Sequence, residues 1–105
     1  MTANAASVLV VDDEPDLRTL YELTLLREGH RVETAASVQE ARQKLRAQHF
    51  DVVLTDMRLP DGQGLELIME LRDAQRRERC VVMTAYGSAE NAVEALRAGA
   101  FDYLT

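Results

Sequence analysis

Three short apolar runs constrain the fold of this chain more than any other feature of its sequence. They read VLVV at residues 8–11, VVL at 52–54 and VVM at 81–83. Each run is continuous rather than alternating, which is typical of strands buried on both faces of a parallel sheet. Weaker strands are predicted at residues 31–34 and 101–104. The sequence therefore predicts five strands, three of which need a covering layer on both sides.

Two helical patterns follow the first two strands. Residues 16–28 are predicted to form a helix, because Pro15 suits a first turn and Gly29 suits the position after a last one. A second helix is predicted from Ser37, which is a good N-cap residue, to residue 47. Each helix would lie between two strands and could connect them as a crossover.

The first predicted helix carries an apolar arc of about 140° at 100° per residue. The arc comprises Leu17, Leu20, Tyr21, Thr24 and Leu25. Leu23 and Leu26 fall outside it, and two interpretations stay open for them. They are partly buried under a neighbouring element, or they belong to a docking surface for another protein.

Further helices are expected at residues 65–73 and, after Ser88, up to residue 98. Strands and helices then alternate along the whole chain. With right-handed crossovers, this order predicts an α/β fold with an open parallel sheet and helices on both faces. In such folds the functional site lies outside the carboxyl ends of the strands.

Composition narrows the functional classes. The chain has 18 acidic and 12 basic residues and a formal net charge of −6, which argues against nucleic-acid binding by this domain itself. No apolar run approaches the ~20 residues of a membrane span, and the N terminus lacks a signal sequence. The single cysteine, Cys80, is expected to be a small core residue in a reducing compartment. We therefore expect a cytoplasmic protein with no membrane contact.

Reactive polar side chains follow three of the predicted strands. Asp12, Asp13 and Glu14 follow the first strand, Asp56 follows the third and Thr84 follows the fourth. Carboxylates gathered at one sheet edge repel one another, and one would protonate unless a cation were bound. Oxygen ligands of this kind suit Mg²⁺, which also accepts phosphate oxygens. A carboxylate in that setting can attack phosphorus, and the Thr84 hydroxyl could donate to a phosphoryl oxygen.

Three segments of the sequence carry a specific resemblance to a known family. They read VLVVDDEPDLR, DVVLTDMRLPDGQGLELI and VVMTAYGSAENAVEALRAGAFDYLT. Together they resemble the receiver domain of two-component response regulators, most closely the NtrC class of sigma-54-dependent transcriptional activators, which includes type IV pilus regulators. The resemblance covers residues 7–105 and leaves residues 1–6 as an N-terminal tail. It implies a flavodoxin-like, CheY-like sheet with strand order 2-1-3-4-5.

The resemblance implies a role for each residue at the strand ends. Asp56 would be the phospho-acceptor. Asp12, Asp13, Asp56 and the backbone carbonyl of Arg58 would hold Mg²⁺. The remaining roles fall on residues that the resemblance places around the phosphoryl group. Thr84 would bind it and act as a switch, Ala85 would leave room for it, Tyr103 would move with Thr84, and Arg58 and Tyr86 would tune its lifetime.

The resemblance also implies partners. A sensor histidine kinase would supply the phosphoryl group and dock near Glu14, Leu17 and Arg18. The full-length protein would form a homodimer and would contact DNA only through attached domains.

One departure from the family concerns the C-terminal end. The family carries a lysine at the position after Thr105 and a fifth helix beyond it, and neither is in this sequence. Lys44, the only lysine present, lies on the second predicted helix and is a poor substitute. We therefore expect the chain to bind Mg²⁺ but to be phosphorylated and switched poorly, and to be marginally stable as an isolated domain.

Two other functional readings stay open. The chain could be a receiver-like interaction module that is never phosphorylated. It could also be a Mg²⁺-dependent phosphatase with an aspartate nucleophile, although that class usually has an aspartate where this chain has Arg58. Outside the strand ends, Asp61 and Gly62 are expected only to make a turn, and His30 and His49 are expected at the surface.

Overall fold

The computed structural model of the chain describes residues 5–83 and 102–104. Within them the helices are α1 (Pro15–Arg27), α2 (Val38–Ala47) and α3 (Gly64–Asp73). The strands are β1 (Ser7–Val11), β2 (Arg31–Ala35), β3 (Val52–Asp56), β4 (Arg58–Leu59), β5 (Gly62–Gln63), β6 (Arg79–Met83) and β7 (Asp102–Leu104). The helix predicted up to residue 98 lies outside the described residues.

Five strands form one parallel sheet in the order β2-β1-β3-β6-β7. Counting only these five strands, this is the predicted order 2-1-3-4-5. In the register, Val8 lies opposite Val32 on one side and Val52 on the other. All five carboxyl ends therefore point to the same edge of the sheet, where the sequence predicts the site.

The central strands pack against apolar layers on both faces. Leu9 and Val53 belong to a core cluster with residues of α2 and α3, such as Leu45 and Ile68. The alternate positions Val8, Val10 and Leu54 face the other side, against residues of α1. Fully burying one such side chain stabilises the fold by about 1.5–3 kcal/mol, so the two-sided burial explains the continuous apolar runs.

Helix α1 is less buried than its apolar arc predicts. Tyr21 and Leu25 are half-buried and pack against the β1 face of the sheet, but no residue of α1 is fully buried. Leu20, predicted inside the arc, is 57% exposed, and Leu23 and Leu26 are exposed by nearly half. The sheet therefore covers a narrower strip of α1 than the whole apolar arc, and that strip is centred on Tyr21 and Leu25.

A small hairpin that the sequence analysis did not predict follows β3. Strands β4 and β5 pair antiparallel, with Arg58 opposite Gln63 and Leu59 opposite Gly62. Asp61, at the tip, was expected only to make the turn, and that expectation was wrong. Its carboxylate accepts hydrogen bonds from the backbone N–H groups at the start of α2, which is 22 and 23 residues away in sequence.

The predicted N-cap of α2 is confirmed. The Ser37 hydroxyl oxygen accepts a hydrogen bond from the Glu40 backbone N–H at 3.1 Å. Glu40 reaches back to accept a bond from the Ala36 N–H at 3.0 Å, as in a capping box shifted by one residue.

The amino edge of the sheet holds a buried ion pair. The Glu78 side chain is only 1% exposed and lies 2.5 Å from the Arg76 guanidinium. Glu78 also accepts a hydrogen bond from the Phe50 N–H. His49 is exposed, as predicted, with Nδ1 at 3.7 Å from Glu78. His30 was predicted at the surface but is half-buried, because its Nδ1 accepts a bond from the Ala6 N–H.

Cys80 is buried in the core, as predicted. Burial, and to a smaller extent the charge of Glu78, raises the pKa of its thiol to about 11. A thiol with so high a pKa carries little of the reactive thiolate. None of the described helices is long and apolar enough to cross a membrane.

Candidate functional site

Three carboxylates meet at the carboxyl edge of the sheet. Asp12 and Asp13 follow β1 directly, and Asp56 is the last residue of the neighbouring β3. Because Val11 and Thr55 lie opposite each other in the parallel register, both strands end at the same level. One oxygen of each carboxylate lies within 4.8 Å of one oxygen of the other two.

Asp12 is held in place by backbone hydrogen bonds. It is 2% exposed, and its Oδ1 accepts a bond from the Glu14 N–H at 2.9 Å. Its own N–H donates to the carbonyl of Ala35 at 3.0 Å, and its carbonyl accepts from the Arg18 guanidinium at 2.9 Å. Among the described residues these bonds use only Oδ1, so Oδ2 is available for a cation.

Asp56 is fixed by close packing around its main chain. The Thr55 hydroxyl is fully buried and donates to the Asp56 carbonyl at 3.0 Å. A Cβ placed on Gly64 would lie 2.0 Å from that same carbonyl and 2.7 Å from the Thr55 hydroxyl. Only glycine fits there, so the start of α3 packs directly on the backbone that carries the Asp56 side chain.

Electrostatics at this edge favour a bound cation. Burial raises the pKa of Asp56, and repulsion from Asp12 raises it further, while backbone N–H groups of Met57 and Arg58 oppose the shift. Burial likewise raises the pKa of Asp12, and repulsion from Asp13 adds to the increase. Among the described residues, no salt bridge reaches any of the three carboxylates. A divalent cation would remove this repulsion, and three carboxylates suit Mg²⁺ or Ca²⁺.

The structure describes only some of the predicted site residues, and it brings three of them together. Asp12, Asp13 and Asp56 form the cluster, and Arg58 lies two residues beyond it with an exposed side chain. Thr84, Ala85 and Tyr86 lie outside the described residues. Tyr103 lies in β7, in register with Val82 of the adjacent strand.

The residues predicted to meet a kinase lie beside the cluster. Glu14 is exposed, and Leu17 is 38% exposed. Arg18 is only half-exposed, because its guanidinium hydrogen-bonds to the Asp12 carbonyl. Arg18, in the first turn of α1, therefore also fixes the main chain at Asp12.

Two residues whose surroundings are linked to the site were not predicted from the sequence. Tyr21 was assigned only to the apolar arc, yet burial raises the pKa of its phenol, and the negative charges of Asp12 and Asp56 add to that increase. The second is Gly64, whose requirement becomes visible only when α3 packs on β3. No local pattern marks either residue, because both effects depend on tertiary contacts.

A cavity among the described residues lies at the opposite edge of the sheet. Its volume is about 790 Å³, and residues including Ala6, His49, Asp51 and Arg77 line it. It contains none of the three clustered carboxylates. The cavity and the acidic cluster therefore lie at different edges of the sheet. The three carboxylates, and not the cavity, identify the candidate site.

Comparisons with known proteins agree with this geometry. The sequence pattern of the response regulator receiver domain matches residues 8–105. The response regulator protein PilR of Pseudomonas aeruginosa is 50% identical over 97 residues, which are 92% of this chain and 22% of that protein. The chain thus spans about a fifth of the length of the curated relatives it matches.

Two solved structures add to the comparison. A response regulator from Burkholderia pseudomallei, with a phosphorylated aspartic acid and a calcium ion, is 35% identical with a TM-score of 0.86; the match covers 92% of this chain and 57% of that one. The beryllofluoride-activated NtrC4 receiver domain dimer is 34% identical with a TM-score of 0.86, over 92% and 80% of the two chains.

The parallel sheet and its acidic carboxyl edge define a regulatory domain of the CheY-like class. This chain belongs to the response regulator receiver domain family. Its similarity to PilR and to the NtrC4 receiver confirms the predicted resemblance to the sigma-54 activator class of response regulators.

Proposed function

We propose that Asp56 accepts a phosphoryl group from a phosphohistidine of a sensor histidine kinase. One observation carries the proposal: three carboxylates from two adjacent parallel strands converge within 4.8 Å at the edge where this family has its site. The relative that carries a phosphorylated aspartic acid supports this reaction class. The cluster would hold Mg²⁺ through Asp12, Asp13, Asp56 and the backbone carbonyl of Arg58.

In the transfer step, a carboxylate oxygen of Asp56 attacks the phosphorus atom. A new O–P bond forms, the P–N bond to the histidine breaks, and the imidazole nitrogen keeps the electron pair. Mg²⁺ held by this cluster would neutralise the charge on the phosphoryl oxygens. The burial of Asp12 and the backbone bonds that hold it keep the cluster in place without rearrangement. Water later hydrolyses the acyl phosphate, which resets the domain.

The switch would follow from contacts to the new phosphoryl group. Thr84 donates its hydroxyl to a phosphoryl oxygen, Ala85 leaves room for it, and Tyr103 moves with Thr84. Arg58 and Tyr86 would set how fast water reaches the phosphoryl group. This mechanism is a population shift between two states, driven by contacts that exist only in the phosphorylated one.

The proposal also extends beyond this domain to the whole protein. We infer that it is a cytoplasmic regulator of transcription, dimeric at full length, that contacts DNA through attached domains. The kinase would dock at Glu14, Leu17 and Arg18, which border the cluster on one side. The similarity to PilR and to a receiver domain dimer supports this arrangement.

Intact mass spectrometry after incubation with acetyl phosphate and Mg²⁺ tests the phosphoryl acceptor. The chain should gain the mass of one phosphoryl group, and Asp56→Asn should gain none. Asp51→Asn is a matched control, because Asp51 precedes the same strand at its opposite end, where its carboxylate accepts a hydrogen bond from the Ser7 N–H. Labelling of Asp56→Asn at the wild-type rate would contradict the assignment.

A second arm tests the lysine that the resemblance implies. A version of the chain that continues past Thr105 with Lys-Pro should be labelled about ten- to a hundredfold faster. The reason is that a hydrogen bond to a charged group is worth about 1.5–3 kcal/mol, and 1.4 kcal/mol corresponds to a factor of ten. If neither version is labelled, the chain is a receiver-like interaction module rather than a phospho-acceptor.

A further inference from the structure

The Asp61 carboxylate connects two segments that border the acidic cluster. One oxygen accepts from the Val38 N–H at 2.8 Å and the other from the Gln39 N–H at 3.0 Å. These are charge-assisted bonds, and they lie at the N-terminal end of α2, where the helix dipole favours a negative charge. Both bonds therefore act as a tertiary link between the β4–β5 hairpin and α2.

On one side, the link reaches the main chain of the proposed metal site. Arg58 pairs with Gln63 in the hairpin, and the Gly64 N–H donates to the Met57 carbonyl at 2.9 Å. A two-stranded ribbon is marginal in water by itself. An anchor at its tip, at Asp61, therefore helps to fix where the Arg58 carbonyl lies.

On the other side, the link reaches a helix that is itself well fixed. Val38 is fully buried, and Arg42 of α2 forms a bidentate pair with Glu70 of α3. The hairpin lies directly on this helix, since a Cβ on Gly62 would be 3.2 Å from Val38 Cγ2. Helix α2 therefore offers a rigid support to which Asp61 can hold the hairpin.

The strand that leads into α2 also holds Asp12, one of the proposed metal ligands. The Ala35 carbonyl, three residues before α2, accepts from the Asp12 N–H at 3.0 Å. The chain of contacts thus runs from the end of β1 through Ala35 and α2 to Asp61, and through the hairpin back to Asp56. Asp61 supplies the hydrogen bonds that close this ring.

We propose that Asp61 is a positioning residue of the metal-binding edge. Its two hydrogen bonds to α2 hold the hairpin so that the Arg58 carbonyl stays beside the Asp12, Asp13 and Asp56 carboxylates. The proposal rests on the function proposed above. It assigns no contact between Asp61 and the metal or the phosphoryl group.

The matched control for this residue is Ser37. Ser37→Ala removes the other side-chain cap of α2 but leaves the hairpin tied to the helix. Asp61→Ala removes both hairpin bonds, and Asp61→Asn keeps one acceptor oxygen. Loss of a cap lowers helix stability in either case, so all three variants should shift the urea midpoint downward. Only the Asp61 variants should also loosen the hairpin.

The first measurement uses the metal-free protein. Amide hydrogen exchange at the Gly64 N–H should be about tenfold faster in Asp61→Ala, which corresponds to the ~1.4 kcal/mol of a lost cap. Asp61→Asn should show a smaller increase, and Ser37→Ala should match the wild type. Equal exchange in Asp61→Ala and Ser37→Ala would overturn the link, whether or not the chain binds metal.

The second measurement is the Kd for Mg²⁺ by titration calorimetry. Outer residues that orient ligands typically change metal affinity by about 10–100-fold. We expect about tenfold weaker binding in Asp61→Ala, less in Asp61→Asn and no change in Ser37→Ala. An unchanged Kd in Asp61→Ala would overturn the positioning role. Absence of Mg²⁺ binding in the wild type would instead contradict the proposed function. The exchange measurement would still show whether Asp61 holds the hairpin to α2.

Discussion

The two edges of the parallel sheet carry buried acids under opposite conditions. At the amino edge, Glu78 is paired with Arg76 and bonded to the Phe50 N–H. At the carboxyl edge, Asp12 and Asp56 lie beside a third carboxylate, and no salt bridge reaches them among the described residues. The first arrangement is complete within the chain. The second has no such partner among the described residues, and under the proposed function a cation from solution would complete it.

The pKa shifts express the same contrast. At the amino edge, burial would raise the pKa of Glu78, but the hydrogen bond from Arg76 and the backbone N–H of Phe50 outweigh it and lower the pKa below 4.5. At the carboxyl edge, burial and mutual repulsion raise the pKa values of Asp12 and Asp56 above 3.8. Ionisation is therefore favoured at one edge and resisted at the other.

The largest effect is expected from breaking the complete pair. Arg76→Met should leave the Glu78 charge buried without its cation, which typically costs about 3–5 kcal/mol of unfolding free energy. Arg76 also donates to the Leu45 and Gln48 carbonyls at the end of α2, which adds to the loss. Urea denaturation measures it.

The neighbouring Arg77 provides the control for that variant. Arg77 is exposed, so Arg77→Met should change stability by no more than about 0.5 kcal/mol. Both variants should leave Mg²⁺ affinity unchanged, because they lie at the opposite edge from the acidic cluster. Equal stability of the two variants would mean that the Arg76–Glu78 pair is not needed to hold the amino edge.

The next effect concerns the incomplete cluster. Asp13→Asn removes one proposed Mg²⁺ ligand and should weaken Mg²⁺ binding by about 10–100-fold, since a bond to a charged group is worth about 1.5–3 kcal/mol. Asp16→Asn, an exposed acid in the first turn of α1, is the matched control and should bind as the wild type does. Calorimetric titration measures the Kd for Mg²⁺ of both variants. Equal Kd values would mean that Asp13 is not a Mg²⁺ ligand.

The smallest effect is on the pH dependence of stability, to which Asp56 and Glu78 should contribute with opposite signs. It is measured in the metal-free protein with a chelator present. A raised folded pKa means that the native state keeps protons longer than the unfolded chain, so Asp56 lowers stability as pH rises above about 3.8. A lowered folded pKa has the reverse effect, so Glu78 adds stability above about 4.5 and loses it as pH falls.

Two variants separate these contributions. Asp56→Asn should gain stability over the wild type at neutral pH and lose that advantage in acid. Glu78→Gln should be less stable than the wild type at neutral pH, and the difference should shrink in acid. Chemical denaturation across a pH series checks both curves. Curves of the same sign would show that the two edges do not differ as the structure indicates.

Much of the carboxyl edge could be predicted from the sequence. Continuous apolar runs marked β1, β3 and β6, and the acids directly after them had to share an edge because parallel strands all end on one side. The family motifs then assigned a role to each residue. The strands and their shared edge were predicted correctly because strand periodicity and strand-end position are local properties of the chain.

The remaining features depend on contacts between distant segments. Asp61 looks like a turn residue, and its bonds to Val38 and Gln39 appear only when the hairpin packs on α2. The need for glycine at Gly64 comes from the approach of α3 to β3. The exposure of Leu20 depends on how α1 is rotated over the sheet, which its helical period leaves undetermined. No local pattern encodes these placements.

The most direct test is the thermal stability of the chain at neutral pH with and without Mg²⁺. A ligand that binds only the folded state raises its stability by RT ln(1 + [L]/Kd), so Tm should rise and then saturate as Mg²⁺ is added. Asp56→Asn should melt at a higher temperature than the wild type in the absence of metal and should gain much less from Mg²⁺. If Mg²⁺ leaves the wild-type Tm unchanged, or raises both proteins equally, Asp56 does not belong to a cation site.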